Sequence, residues 1–149
     1  MWLLLLIKSG SLNACPLIVN DSTPPITDWV TIAEEMPRFP GCEEMEGSVL
    51  EKKQCSDQRL LQYFYTNWKI PTRAREAHVC ELIVISFIID TTGKVRDIEI
   101  LKDPGYGMGA SVAAVLRSMN DLSTPWRPGY LKGKAVAVKY QFPIRYHLN

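Results

Sequence analysis

Four cysteines and two histidines are the residues in this chain of 149 residues whose types most readily do chemistry. Cys42, Cys55, His78 and Cys80 would together supply the thiolate and imidazole ligands of a structural zinc site. Such sites usually take their cysteines from tight C-x-x-C pairs, whereas Cys42 and Cys55 are widely separated. We therefore expect no metal and no other cofactor.

Catalytic arrangements find equally little support. His78 and Cys80 resemble a base and a nucleophile, but Cys80 leads directly into an apolar run and no third group is evident to orient the histidine. The serines lack a G-x-S-x-G elbow, and the loop GYGMG lacks the lysine of a phosphate-binding loop. We predict that the protein is not an enzyme and has no small-molecule substrate.

The cysteines instead predict a disulfide. Cys42 and Cys55 bracket a polar stretch with little apolar content, and a bond between them would stabilise the fold by about 2–3 kcal/mol by restraining the unfolded chain. Such a bond implies an oxidising compartment. Cys80 is expected to be a free, buried thiol.

Cys15 has a different context. The apolar run at residues 2–7 is too short to span a bilayer, and Lys8 follows this run where a secretory signal has its basic residues in front. The segment LNAC at 12–15 resembles a bacterial lipobox, whose cysteine is acylated. This segment therefore has two interpretations: Cys15 is lipidated, or the segment is an apolar leader in which the cysteine occurs by chance. Residues 1–33 are predicted to be a leader and an extended segment, and 34–149 the domain.

Helical and extended periods alternate along the rest of the chain. Ser56 and Asp57 offer a helix cap before an apolar series at helical spacing that Pro71 closes. The run at 80–90 predicts a central strand, the turn at 91–94 a hairpin and the segment at 95–102 its second strand. The two predicted helix faces consist of Leu60, Leu61, Phe64 and Trp68, and of Val112, Val115, Leu116 and Met119.

The chain ends in AVAVKYQFPIRYHLN, where every second residue from Val136 to Leu148 is apolar or aromatic. This is the period of a half-buried strand, and Pro143 restricts that strand to a sheet edge or a bulge. The order helix, strand, strand, helix, strand predicts an α+β domain with two helices packed on a three-stranded antiparallel sheet. Its shared core is expected to include Phe64, Val84, Leu116 and Phe142.

Six segments follow one another along the chain: MPRFPG at 36–41, IPTRARE at 70–76, ISFIIDTTGKVRDIEILK at 85–102, VAAVLRSM at 112–119, WRPG at 126–129 and GKAVAVKYQFPIRY at 133–146. Taken in this order, they resemble the C-terminal domain of the energy transducer TonB. The FPGCE element with a second cysteine downstream is similar to the version found in Bacteroidetes-type bacteria. The resemblance covers about three quarters of the chain, roughly residues 34–148.

The resemblance implies a periplasmic or cell-envelope domain of a Gram-negative bacterium that engages outer-membrane transporters. In the family, the last strand accepts a short extended peptide of the transporter, the TonB box, as an added strand. A near-neutral charge of +1 without a basic stripe predicts no nucleic-acid partner. Homodimerisation through the same edge is a further expectation. The implied partner-binding residues are Lys139, Tyr140, Gln141, Phe142, Pro143, Ile144, Arg145 and Tyr146.

Two departures from the family support an alternative. A transducer has a membrane anchor and a long linker, neither of which is expected here, and Glu81 stands where the family usually has glycine. The alternative is a stand-alone cell-envelope lipoprotein with a structural or interaction role, anchored through Cys15. Binding of transporter peptides would distinguish the two functions.

Overall fold

A mixed sheet with helices on one face forms the part of the chain that the computed structural model describes, residues 28–78 and 81–146. Within these ranges, no helix is long and apolar enough to cross a membrane. The elements in chain order are β1 (Trp29–Val30), α1 (Val49–Asn67), α2 (Thr72–Glu76), β2 (Leu82–Ile89), β3 (Val95–Lys102), α3 (Met108–Ser118) with a following 3-10 turn (Met119–Asp121), β4 (Gly129–Leu131) and β5 (Lys134–Arg145).

The sheet runs in the order β1-β5-β2-β3, and β4 pairs with the start of β5. The pairs β2/β3 and β2/β5 are antiparallel, as predicted, and β2 is central. The predicted α+β class is therefore confirmed. Two short strands extend the predicted sheet, and β1 makes it mixed because it pairs parallel to β5. The proline-rich composition before residue 40 concealed β1, which is only two residues long.

The core lies between the helices and the face of the sheet that they cover. Alternate residues of β2 supply its centre, and both predicted helix faces contribute. α3 packs on β2 and β3. The fully buried members include Phe64, Ile83, Ile85, Ile89, Val112 and Leu116.

The prediction that Val84 belongs to the shared core is wrong. It is half-buried and lies outside this core cluster, because Ile83 and Ile85 on either side of it face the helices. β2 is apolar on both faces, so its sequence contains no alternation from which the facing could be read. Phe142 packs against the cluster while partly buried.

α1 begins earlier than predicted. Ser48 is its N-cap: the Ser48 hydroxyl accepts from the Glu51 backbone N–H at 3.2 Å, and the Glu51 carboxylate accepts from the Ser48 N–H at 2.6 Å. This capping box starts the helix eight positions before Ser56. Ser56 is instead buried inside α1, where its hydroxyl accepts from the Phe39 N–H at 2.6 Å.

The predicted disulfide is confirmed. Cys42 and Cys55 are bonded, with Cα atoms 6.1 Å apart, within the usual range for a disulfide. Because Cys55 lies in α1, the bond fastens this helix to the segment that precedes it. Cys80 and Cys15 lie outside the described residues, so the free thiol and the lipid anchor stay predictions.

Truncation of a core residue should cost far more than truncation of an exposed one. We expect Leu116→Ala to lower the free energy of unfolding by about 2–5 kcal/mol, because Leu116 is fully buried in α3. The control is Leu101→Ala in β3, where the side chain is 46% exposed and the change should stay within about 0.5 kcal/mol. Urea unfolding measures both, and equal losses would contradict this assignment of the core.

Thiol counting tests the disulfide. In a Cys15→Ser chain, one of the three remaining cysteines should react after denaturation without reductant, and all three after reduction. Loss of the bond should destabilise the fold by about 2–3 kcal/mol, because the restraint on the unfolded chain disappears. Three reactive thiols before reduction would refute the pairing.

Candidate functional site

β5 has two edges with different surroundings. One edge pairs with β2 from Leu82↔Arg145 to Ile89↔Val138. The opposite edge pairs with β1 only at Ala137 and Val138. We call this opposite edge, over residues 139–145, the outer edge. Among residues 28–78 and 81–146, no strand pairs with it.

Pro143 determines which backbone groups the outer edge presents. Pairs in an antiparallel ladder alternate between hydrogen-bonded and non-hydrogen-bonded, and Pro143 pairs with Val84. Proline has no N–H, so this pair is of the non-hydrogen-bonded type and its backbone groups point away from β2. The register with β2 runs without a shift. The groups of Lys139, Gln141 and Arg145 therefore point the same way.

The outer edge thus offers alternating donors and acceptors to an added strand. Gln141 and Arg145 each supply an N–H and a C=O. Lys139 and Pro143 each supply a C=O alone, because the parallel pairing of Val30 with Val138 takes up the Lys139 N–H and proline has none. The side chains of these four residues lie on the sheet face opposite the helices. Gln141, Pro143 and Arg145 are exposed, and the Lys139 ammonium lies 4.7 Å from the centre of the Trp29 ring.

The other predicted site residues turn their side chains towards the helices. Ile144 is buried in the core, and Tyr140 and Phe142 pack against it. The Tyr140 hydroxyl donates to the Pro37 carbonyl at 3.0 Å. Burial raises the pKa of Tyr140 above its ordinary value, and the Asp57 carboxylate adds to the shift, so the hydroxyl remains a donor. Tyr146 packs edge-on against Trp68.

The edge of the sheet at β3 is blunted. Its register with β2 shifts twice, and Asp97 has a left-handed backbone with φ 50° between the pairs Ser86↔Glu99 and Ile88↔Arg96. β-Bulges of this kind interrupt pairing with a further strand. The Asn120 side chain also accepts from the Val95 N–H at 2.8 Å and donates to the Val95 carbonyl at 2.9 Å. The outer edge of β5 is the regular one.

The segment after β1 turns away from β5 and leaves the outer edge open. Glu35 and Tyr130 exchange backbone hydrogen bonds of 3.1 and 2.9 Å, and Arg38 and Arg127 exchange two of 3.0 and 2.9 Å. These bridges hold the segment against the approach to β4. The chain therefore does not continue along β5 beyond Val138.

Four charged side chains hold the same segment. Arg38 is 3% exposed and donates to both carboxylate oxygens of Glu43, at 2.6 and 2.8 Å. Arg127 donates to Glu35 at 3.0 Å. The hydrogen bonds from Arg38 lower the pKa of the Glu43 carboxyl, against an opposing effect of desolvation. Arg127 is thus part of an ion-pair cluster with Arg38, Glu35 and Glu43.

The residues considered for metal binding or catalysis do not form such a site in the described part of the chain. The sulfurs of Cys42 and Cys55 are bonded to each other, so neither is available as a thiolate. Within the described ranges, no three His, Cys, Asp or Glu side chains are arranged to hold a metal ion. Cys80 lies outside these ranges, and the pair of His78 and Cys80 therefore stays untested.

The sequence did not reveal the residues that make the two sheet edges differ. Asn120 lies beyond the predicted second helix, and only its contact with Val95 shows its role. Asp97 lies inside an otherwise regular strand pattern, where an aspartate is a weak indication of a bulge. Gly93, by contrast, is a clear sequence signal for the turn after β2. Its φ is 81°, and a Cβ there would lie 2.1 Å from the Trp126 carbonyl oxygen.

Fold and site together define a small α+β domain whose sheet has one blunted edge and one open, regular edge, the type of surface that takes an added strand. The chain belongs to the Gram-negative bacterial TonB protein C-terminal family, whose model matches residues 67–148, more than half of the chain. A solution structure of the Helicobacter pylori TonB C-terminal domain is similar to it, with 19% identity and a TM-score of 0.48. That match covers 70% of this chain and 98% of the other. No curated protein matches the chain.

Neutralising Glu43 should loosen the segment that precedes α1. We expect Glu43→Gln to lower the free energy of unfolding at pH 7 by about 1.5–3 kcal/mol, the usual value for hydrogen bonds to a charged group. Because the folded-state pKa of Glu43 lies below its ordinary 4.5, its contribution is full above pH 4.5 and is lost as the pH falls through the lowered value. The difference between wild type and variant should therefore narrow in acid. Urea unfolding across pH 3–7 tests this, and a constant difference would refute it.

Proposed function

We propose that the chain is a periplasmic protein-binding domain that engages outer-membrane transporters by accepting an extended segment of the transporter at the outer edge of β5. The observation that carries the proposal is this regular edge, which has no partner among the described residues. Membership of the TonB C-terminal family supports it. The role is coupling of transport and not catalysis.

Backbone pairing explains how such a domain would serve several transporters. Each N–H and C=O of the outer edge gives a hydrogen bond to any extended segment that aligns with it, almost regardless of side chains. The disulfide agrees with an oxidising compartment such as the periplasm. β3 does not compete for the same segment, because bulges distort its edge and the Asn120 side chain bonds to the backbone of Val95 there.

A second copy of the chain is the other candidate for the outer edge. Two β5 strands pairing edge to edge would bury the same groups and give a homodimer. Sedimentation across a range of concentrations would detect it, and addition of a transporter peptide should then dissociate the dimer. The lipoprotein alternative depends on Cys15, which lies outside the described residues.

Proline substitution tests the edge itself. Gln141→Pro removes an N–H that points away from β2, so the folding stability should be largely retained while affinity for synthetic peptides from transporter N-terminal segments falls by about tenfold. Gln141→Ala keeps the N–H and is the matched control, with affinity expected within about threefold of wild type. Calorimetric titration measures the binding.

A substitution at Phe142 tests which backbone N–H groups of β5 point towards β2. Phe142→Pro removes an N–H that points towards β2 and should destabilise the fold by about 3 kcal/mol or more. Amide hydrogen exchange with bound peptide should show new protection at Gln141 and Arg145. Protection confined to other amides, or Gln141→Pro and Gln141→Ala binding alike, would refute strand addition at this edge.

A further inference from the structure

An apolar cavity opens beside the outer edge, between α1 and β5. It has a volume of about 340 Å³. An apolar cavity of about 150 Å³ holds a benzene molecule, so this one has room for an aromatic side chain. The Lys53 and Asp57 ion pair lies among its walls, and the other lining residues are apolar or aromatic: Leu60, Leu61, Phe87, Trp126, Tyr140 and Phe142.

α1 follows β5 along its length. Phe64 contacts Phe142 with ring centres 5.4 Å apart, and Trp68 contacts Tyr146 at the same distance, so the helix advances as the strand does. The Tyr63 hydroxyl, on one side of α1, is 2.9 Å from the Ser118 hydroxyl of α3. Residues two positions apart lie on nearly opposite sides of a helix. Leu61 therefore projects away from α3, towards the outer edge.

The side of α1 above the outer edge has an exposed apolar surface. Leu61 is 44% exposed, and Tyr65, one turn further along the helix, is 58% exposed. Tyr140 and Phe142 approach the cavity from β5, since their side chains lie on the helix-covered face of the sheet. The Trp126 Nε1–H is buried in this region and has no acceptor among the described residues.

A strand added to the outer edge would project every second side chain onto this same face. Its nearest neighbours there would be Tyr140 and Phe142 below and Leu61 above. Building on strand addition at β5, we infer that the cavity is a specificity pocket that takes one apolar side chain, aromatic or branched aliphatic, from the added strand. The ladder then supplies affinity for any extended segment, and the pocket selects among such segments.

The cavity joins two parts of the chain. Phe87, Trp126, Tyr140 and Phe142 lie within the region that matches the family model, residues 67–148. The wall from α1 lies before that region and is fastened by the disulfide at Cys55. Selection would thus depend on a helix outside the matched region, whereas backbone pairing depends on a strand within it.

The test uses a host peptide from a transporter N-terminal segment, synthesised with phenylalanine, leucine, serine or aspartate at each position in turn. At one position, phenylalanine or leucine should bind about tenfold more tightly than serine or aspartate, because only the apolar side chains gain from burial. Leu61→Gln should reduce that preference about three- to tenfold. Leu50→Gln is the matched control: Leu50 is 66% exposed on the same helix, does not line the cavity and lies about 16 Å along the axis.

Two nuclear magnetic resonance readouts separate the pocket from the ladder. The indole signal of Trp126 should shift with the phenylalanine peptide and much less with the serine peptide. Amide protection at residues 141 and 145 should occur with both peptides. Protection without any side-chain preference would overturn the pocket and leave strand addition standing. Absence of protection would overturn both. Equal effects of Leu61→Gln and Leu50→Gln would also refute the pocket.

Discussion

The missing N–H of Pro143 is the constraint on which the arrangement of β5 depends. Proline fits into the ladder with β2 only where its backbone points away from β2, and the unshifted register extends this choice along the strand. Even-numbered residues therefore pair inward and place their side chains under the helices. Odd-numbered residues present their backbone groups outward. Pro143 thereby determines which backbone groups of β5 stabilise the sheet and which are available for binding.

Other contacts in the structure keep the outward-facing backbone groups of β5 accessible to a partner. The bulges of β3 and the side chain of Asn120 remove the competing edge. The bridges from Glu35 and Arg38 draw the preceding segment towards β4, so it does not cover β5 beyond Val138. The disulfide and the capping box at Ser48 fix the start of α1, which places the helix alongside β5. Each of these contacts favours a stable sheet with one open edge.

Much of the fold was predictable from the sequence because its signals are local. Alternation along β5, helical spacing in α3 and the turn at Gly93 each specify an element without knowledge of its neighbours. The facing of β2 was not predictable, since Val84 and Ile85 are equally apolar. The start of α1 is encoded locally in the Ser48 and Glu51 pair, but Ser56 offers an equally plausible cap in the sequence. The openness of the outer edge and the cavity beside Leu61 depend on contacts between distant segments, which no local pattern encodes.

The backbone nature of the outer edge has an evolutionary consequence. An amide N–H is present whatever side chain its residue carries, so Lys139, Gln141 and Arg145 can be replaced by almost any residue without removing a hydrogen-bonding group. Drift at these exposed positions would be nearly neutral, with new prolines as the main exception. The residue types at such a surface therefore carry little information about binding. Relatives that bind in the same way can therefore differ most at the positions that make the contact.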